Sequence, residues 1–87
     1  SIDEKLREIG FEKIKENKYG SSYERKDLDF GYVHCLELRH KASGKHIIQS
    51  FQKDINKDGF NNMIGLTMYE TRLAIKKMRK LGWKELR

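Results

Sequence analysis

The segment FGYVHCLELRH, residues 30–40, alternates between apolar and polar side chains. Tyr32, Leu36 and Leu38 stand at even positions. Glu37 and Arg39 stand at the odd positions beside them. A period of two is that of a β-strand with one buried face. Because an isolated strand or hairpin is not stable in water, this segment predicts a larger sheet with a layer covering its apolar face.

Turn signals on either side of this segment predict its partner strands. Downstream, the sequence ASG at 42–44 is a three-residue hairpin connection with glycine at the left-handed position. It leads to a strand over 46–52 and sets Leu38 opposite Ile48. Upstream, residues 11–26 contain two weaker alternating runs, which predict a first hairpin.

Both ends of the chain carry the signals of a helix with a defined start and stop. Residues 1–10 open with Ser followed three residues later by Glu, the pattern of a capping box, and end in Gly. Residues 67–82 repeat this arrangement with Thr in place of Ser. In each case an aromatic residue, Phe11 or Trp83, follows the glycine and can pack back on the last helical turn.

These elements predict an α+β fold in the order α-β-β-(β)-β-α. An antiparallel sheet of three to four strands, arranged as a meander, is flanked by an N-terminal and a C-terminal helix. A chain of 87 residues has room for one modest core, so residues 1–87 are predicted to form a single domain. No apolar run approaches the roughly 20 residues that cross a membrane. The one cysteine, Cys35, cannot form an intramolecular disulfide, which favours a cytoplasmic location.

The positive charge of the chain is concentrated in its last segment. The formal net charge is +6, and residues 68–87 account for +5 because they hold seven basic residues against two acidic ones. Helical spacing separates an apolar stripe from a basic face. The predicted core stripe is Met68, Thr71, Ala74, Ile75, Met78 and Leu81. The predicted exposed face, which surrounds Leu73, is Tyr69, Arg72, Lys76, Lys77, Arg79 and Lys80.

Three interpretations of this basic face stay open. The face can bind the phosphates of nucleic acid, with Tyr69 available for stacking. It can instead bind an acidic protein surface or a second copy of this chain, and an exposed Leu73 favours such a protein contact. The protein would be a monomer in the first case and a homodimer in the second. It can also be a solvated helix whose last cations complement the helix dipole. Nucleic-acid binding is the more specific prediction, and protein interaction is its alternative.

The polar loop at 54–65 partly matches a calcium-binding loop. Asp54, Asn56, Asp58 and Asn62 occupy ligand positions of such a loop, but Gly65 stands where a bidentate acid is needed. This composition also fits a loop whose side chains bond their own backbone. The self-bonded loop is the prediction, and calcium binding stays open as its alternative.

Other candidate sites are weaker. His40 and His46 are predicted to face each other across the hairpin and could hold zinc, but no third ligand has a defined spacing. Cys35 has no histidine partner that the sequence places beside it. The chain also lacks GxSxG, HExxH and a glycine-rich phosphate loop. We therefore expect no catalytic residue, no bound metal and no cofactor, and predict a binding protein rather than an enzyme.

Three features of the sequence are shared with a group of known proteins. They are the motif LxxIGF at 6–11, the early Tyr19 and Tyr23, and the segment from LTxxE to LGW at 66–83. They resemble small proteins of unknown function encoded by phages and prophages of Gram-positive bacteria. The shared residues lie mostly at the two ends of the chain. The resemblance implies a small accessory role in the cytoplasm of a bacterial host, and it carries over no functional residue.

Overall fold

The computed structural model describes residues 1–54 and 61–87 of the chain. Within these residues the chain forms two helices and five strands. Their order confirms the predicted α+β fold, in which a helix at each end flanks an antiparallel sheet. The elements are α1 Ile2–Glu8, β1 Glu12–Asn17, β2 Gly20–Asp27, β3 Tyr32–Arg39, β4 Ile47–Asp54, β5 Asn61–Met63 and α2 Met68–Lys80.

The strands lie in the sheet in the same order as in the chain, so the sheet is a meander. β3 and β4 pair in the predicted register, with Leu38 opposite Ile48. The sheet has one strand more than the three to four predicted. The additional strand is β5, which pairs with the end of β4 and sets Met63 opposite Phe51.

The polar loop predicted at 54–65 is only partly described. β4 extends through Asp54, and β5 occupies 61–63. The residues between them, 55–60, lie outside the described residues. The calcium-binding alternative depends on Asn56 and Asp58, so it lies outside the described residues as well.

Both helices end as their sequences predict. At the end of α1, Gly10 has a φ of 97°, and the amide of Phe11 donates to the carbonyl of Leu6 at 2.9 Å. At the end of α2, Gly82 has a φ of 80°, and the amide of Trp83 donates to a carbonyl of the last turn at 3.1 Å. This positive φ lies in the region that glycine adopts without steric cost. Each glycine thus turns the chain so that the next aromatic ring can pack against the helix it follows.

The two helices cover one face of the sheet, and the core lies between the layers. Its buried members come from both helices, the α1–β1 connection, β2 and β3: Leu6, Phe11, Tyr23, Leu36, Leu38, Leu73 and Ala74. The cover is less complete over β4. Leu36 and Leu38 are fully buried, whereas their neighbours on β4, Ser50 and Ile48, are only partly buried. Of the helices within 1–54 and 61–87, none has the length and apolar character that crossing a bilayer needs.

Candidate nucleic-acid interface

The outward face of α2 carries five of the six residues predicted to contact a ligand. Tyr69 is 43% exposed, at the start of the helix. The four cations that follow it are also exposed: Arg72, Lys76, Arg79 and Lys80. Within the described part of the chain, none of these four cations forms an ion pair. At a rise of 1.5 Å per residue, they extend over about 12 Å of the helix axis. We call these four residues the cationic stripe.

The sixth predicted residue, Lys77, lies on the opposite face, so its assignment to the exposed face is wrong. Its side chain is only 10% exposed. Its Nζ lies 2.8 Å from Oε1 of Glu16 and 3.1 Å from the carboxylate of Asp3. Lys13 approaches the same Asp3 carboxylate at 3.1 Å. Lys77 therefore joins α2 to α1 and β1, and its ammonium group is already paired.

Hydrogen bonds keep this cluster charged despite its partial burial. Burial alone would raise the pKa of Asp3, but hydrogen bonds from Tyr23, Lys13 and Lys77 lower it to about 2. The hydrogen bond from Lys77 also lowers the pKa of Glu16. Burial alone would lower the pKa of Lys77, but its bonds to both carboxylates raise it. The ion pairs are therefore complete at neutral pH.

A second ion pair fixes the start of α2. Oε2 of Glu70 lies 2.9 Å from Nη1 of Arg25, and the same guanidinium nitrogen donates to the carbonyl of Ile9 at 3.1 Å. The guanidinium group also lies 4.2 Å from the centre of the Phe11 ring. Its other terminal nitrogen is 3.1 Å from Nδ1 of His34. Arg25 thus connects β2 to α1, β3 and α2 at one point.

The groups around Arg25 have perturbed pKa values for identifiable reasons. Burial alone would raise the pKa of Glu70, but hydrogen bonds from the Thr67 backbone and from Arg25 lower it. Burial lowers the pKa of His34, and the positive charge of Arg25 lowers it further. Because arginine only donates, Nδ1 of His34 accepts, and its Nε2–H donates to Oγ of Ser50 at 2.6 Å. His34 is therefore a structural, neutral residue of the interior.

These two ion pairs decide how α2 is rotated about its axis. Leu73, predicted to be exposed, is 2% exposed and belongs to the core. Met68, predicted to belong to the core, is 81% exposed. The buried face is centred on Glu70, Leu73, Ala74 and Lys77, which is roughly a quarter turn from the predicted stripe. With α2 held in this orientation at Glu70 and again at Lys77, the cationic stripe points away from the sheet.

A groove of about 700 Å³ opens at the C-terminal end of α2, where the helix layer stops short of β4. Its floor is formed by Ile75 and Met78 of α2, Ile48 of β4, and Trp83 and Leu86 of the C-terminal tail. Ile75 and Met78 are only partly buried, although both are predicted to be core residues. We call this feature the tail groove.

The rim of the tail groove is basic. Lys45 of the β3–β4 turn, Arg79 of α2 and Arg87 of the tail contribute three cations, against one acidic residue, Glu85. Arg79 also belongs to the cationic stripe. The groove and the stripe are therefore parts of one continuous surface. Neither Trp83 nor the two cations outside α2 are among the residues that the sequence predicts to contact a ligand.

Two histidines hold the tail against the β3–β4 turn. The ring of His46 lies 4.6 Å from that of His40 and 5.1 Å from that of Trp83, measured between centroids. Nδ1 of His46 accepts from the amide of Lys41 at 3.0 Å, and its Nε2 donates to the carbonyl of Lys84 at 2.8 Å. Both ring nitrogens are thus engaged with the backbone. Across 1–54 and 61–87, no three potential metal-ligating side chains lie together.

The chain matches no family model, no curated protein and no solved structure. The resemblance to phage-encoded proteins therefore stays a prediction. What the protein binds has to be argued from the charge and geometry of its surface.

Proposed function

We propose that this protein binds nucleic acid through the cationic stripe and Tyr69, and that it does so as a binding protein rather than an enzyme. One observation carries the proposal. Four cations are exposed along one face of a helix whose orientation is fixed, and none of them has an ion-pair partner within 1–54 and 61–87. Lysine and arginine side chains without protein partners are available to neutralise phosphates, which releases the cations condensed on a nucleic acid and favours binding.

The spacing of the stripe suits a phosphate backbone. Arg72, Lys76 and Arg79 follow one another at intervals of four and three residues, so they share one side of the helix. Their separation of about 5–6 Å per step is close enough for each cation to meet a different phosphate along a strand that lies beside the helix. Tyr69 begins the same row and offers a ring on which a base can stack.

A protein partner for the same face is the alternative proposal, and it has less support. It depends on the same cations and, in the sequence, on an exposed Leu73. Because Leu73 is 2% exposed, it cannot supply the apolar contact on which the sequence-based case for a protein partner depends. Interfaces between proteins are depleted in lysine at their centres, whereas nucleic-acid interfaces are strongly positive.

A non-catalytic role is supported by the positions of the groups whose pKa values are shifted. The shifted carboxylates and lysine, Asp3, Glu16 and Lys77, are bonded to one another and do not line the tail groove. We also propose a cytoplasmic, accessory role in a bacterial host. The single free cysteine and the resemblance to phage-encoded proteins support it.

The experiment that tests the proposal compares two triple charge reversals. Lys76→Glu, Arg79→Glu and Lys80→Glu together remove most of the stripe. The matched control, Lys15→Glu, Lys26→Glu and Lys53→Glu, reverses three exposed cations on the other face of the sheet. Both variants lower the net charge by the same amount, so any difference between them reflects position and not total charge.

We expect the stripe variant to lose more than about tenfold in affinity for DNA or RNA at low salt, because each lost phosphate contact removes a counterion-release contribution. The control variant should stay within a few-fold of the unmodified protein. Equal retention of nucleic acid by both variants, measured by the anisotropy of a labelled oligonucleotide, would reject the stripe as the binding surface. A stripe variant that instead loses a protein partner in a pull-down, with nucleic-acid binding unchanged, would favour the alternative.

A further inference from the structure

The tail groove combines an apolar floor with a basic rim. The floor residues Ile48, Ile75 and Met78 are partly exposed, and Trp83 lines the groove beside them. A volume of about 700 Å³ lies within the usual range of small-ligand pockets. Several apolar side chains that line one concave surface, with a few charged groups beside them, are the usual composition of a ligand site. A ligand that fits must offer a flat or apolar group to the floor and negative charge to the rim.

The position of the groove relative to the cationic stripe narrows the choice of ligand. Arg79 lines the groove and also stands in the stripe, so a chain whose charges follow the stripe reaches the groove without a break. Three rim cations face one rim acid, Glu85, so the rim has net positive charge. A polymer with a phosphate at every unit and a flat ring beside each phosphate matches both parts of this surface at once.

We propose that the tail groove receives an unpaired base, so that the preferred ligand is single-stranded nucleic acid whose backbone follows the cationic stripe. This inference rests on the proposed nucleic-acid binding. The base lies over Met78 and Ile48 and against the ring of Trp83, and Arg79 and Arg87 bind the phosphates that flank it. The bases of a duplex are paired and stacked within the helix, so a duplex can use the stripe but cannot fill the groove.

The ligands for the test are an oligothymidylate of about 12 nucleotides and its duplex with the complementary strand, a length within the footprint of known single-strand-binding folds. Trp83 is the only tryptophan of the chain, so its intrinsic fluorescence reports on the groove directly. We expect the single strand to bind about tenfold more tightly than the duplex, which is the effect of one base stack. We also expect the single strand, and not the duplex, to quench Trp83 fluorescence.

Variants at the groove separate stacking from folding. Trp83→Phe keeps a ring and should retain most of the preference for the single strand, whereas Trp83→Leu should lose it. Because Trp83 also packs against the core, Leu86→Glu provides a second test that leaves that packing intact. Leu86 is 58% exposed and lines the groove. Leu28→Glu is the matched control, because Leu28 is 78% exposed and does not line the groove.

The outcomes distinguish this inference from the proposed function. A loss of single-strand preference in Leu86→Glu but not in Leu28→Glu, with thermal unfolding unchanged, supports the groove. Equal affinity for single strand and duplex, with binding still abolished by reversal of the stripe, overturns the groove and leaves nucleic-acid binding in place. Binding of both ligands that survives reversal of the stripe, or no binding of either, overturns the proposed function itself.

Discussion

Both faces of α2 carry charged side chains, but those side chains have different surroundings. On the inner face, Glu70 and Lys77 are buried and ion-paired. On the outer face, the four residues of the cationic stripe are exposed and have no ion-pair partner within the described chain. Lys76 and Lys77 are adjacent in the sequence and about 100° apart around the helix, yet Lys76 is exposed and Lys77 is buried. The role of a lysine on this helix is therefore decided by whether another element offers it a carboxylate.

The difference follows from the cost of burying charge. A buried ammonium group without a partner is strongly unfavourable, so a lysine enters the interior only where carboxylates meet it. Asp3 of α1 and Glu16 of β1 do so for Lys77. Removing such a lysine leaves its partner carboxylates partly buried without their cation, which is unfavourable for the same reason. The inner face should therefore govern stability and the outer face should govern binding.

The largest expected effect is on the stability of Lys77→Met. This substitution keeps the aliphatic stem and removes the ammonium group, which leaves Asp3 and Glu16 with only Lys13 as a cation near both. We expect the free energy of unfolding, measured with urea, to fall by about 3 kcal/mol, the usual loss when one partner of a buried ion pair is removed. The neighbouring substitution Lys76→Met should change it by less than about 0.5 kcal/mol, as surface substitutions do. Equal losses would mean that the two faces do not differ in the way their ion pairs indicate.

The second largest expected effect is a loss of stability in acid, when the carboxylates of the inner face are protonated. The pKa of Asp3 is lowered from 3.8 to about 2 in the folded protein, so the folded state binds fewer protons than the unfolded state in this range. The resulting stability is complete above the unfolded value and is lost as the pH falls through the folded value. With its side chain 22% exposed, Asp3 should contribute about 2 kcal/mol near pH 6 and little at pH 2.

The measurement is urea unfolding of the protein and of Asp3→Asn at several pH values between 6 and 2. The variant should be less stable at neutral pH, and the difference should shrink by about 2 kcal/mol toward pH 2. A difference that stays constant over this range would contradict the assignment to Asp3. Glu70 and His34 also have lowered pKa values and lose stability in the same direction, but they belong to the separate Arg25 cluster, so their contributions remain in both proteins and cancel. Glu16 shares Lys13 and Lys77 with Asp3, so the difference between the two proteins reports on this carboxylate pair and not on Asp3 alone.

Most of the fold could be predicted because its signals are local. The alternation at 30–40 identifies a strand without reference to any other residue, and the glycines at 10 and 82 stop their helices through backbone conformation alone. β5 could not be found in this way. It has three residues, two of them asparagines that disfavour strands, and it pairs with β4 across a loop whose sequence indicates only turns.

The candidate site could be predicted only in part, because the rotation of α2 depends on distant residues. Lys77 is bonded to Asp3, which lies 74 positions away in the chain. Helical spacing places Leu73 beside the lysines, so a reading of the sequence alone assigns it to the exposed face. Only the carboxylates that pair with Lys77 show that this part of the helix is buried. The sequence of α2 contains one signal of the groove, because its apolar residues form a wider surface than one buried stripe needs. Leu73 and Ala74 lie on one side of this surface, and Ile75 and Met78 lie on the other. The excess is the flank that lines the tail groove.

The smallest expected effect is on the salt dependence of binding, and it uses the same two lysines. Because each phosphate contact with a single strand contributes about 0.7 to the slope of log affinity against log salt, Lys76→Met should lower the magnitude of that slope by about 0.7. Lys77→Met should leave the slope unchanged, because the Lys77 ammonium group is bonded to Glu16 and Asp3 and contacts no phosphate. The comparison is made at a temperature where circular dichroism shows the variant to be folded. A lowered slope for Lys77→Met would mean that the buried lysine leaves its carboxylates to reach the ligand, and the two faces of α2 would then not be separate in function.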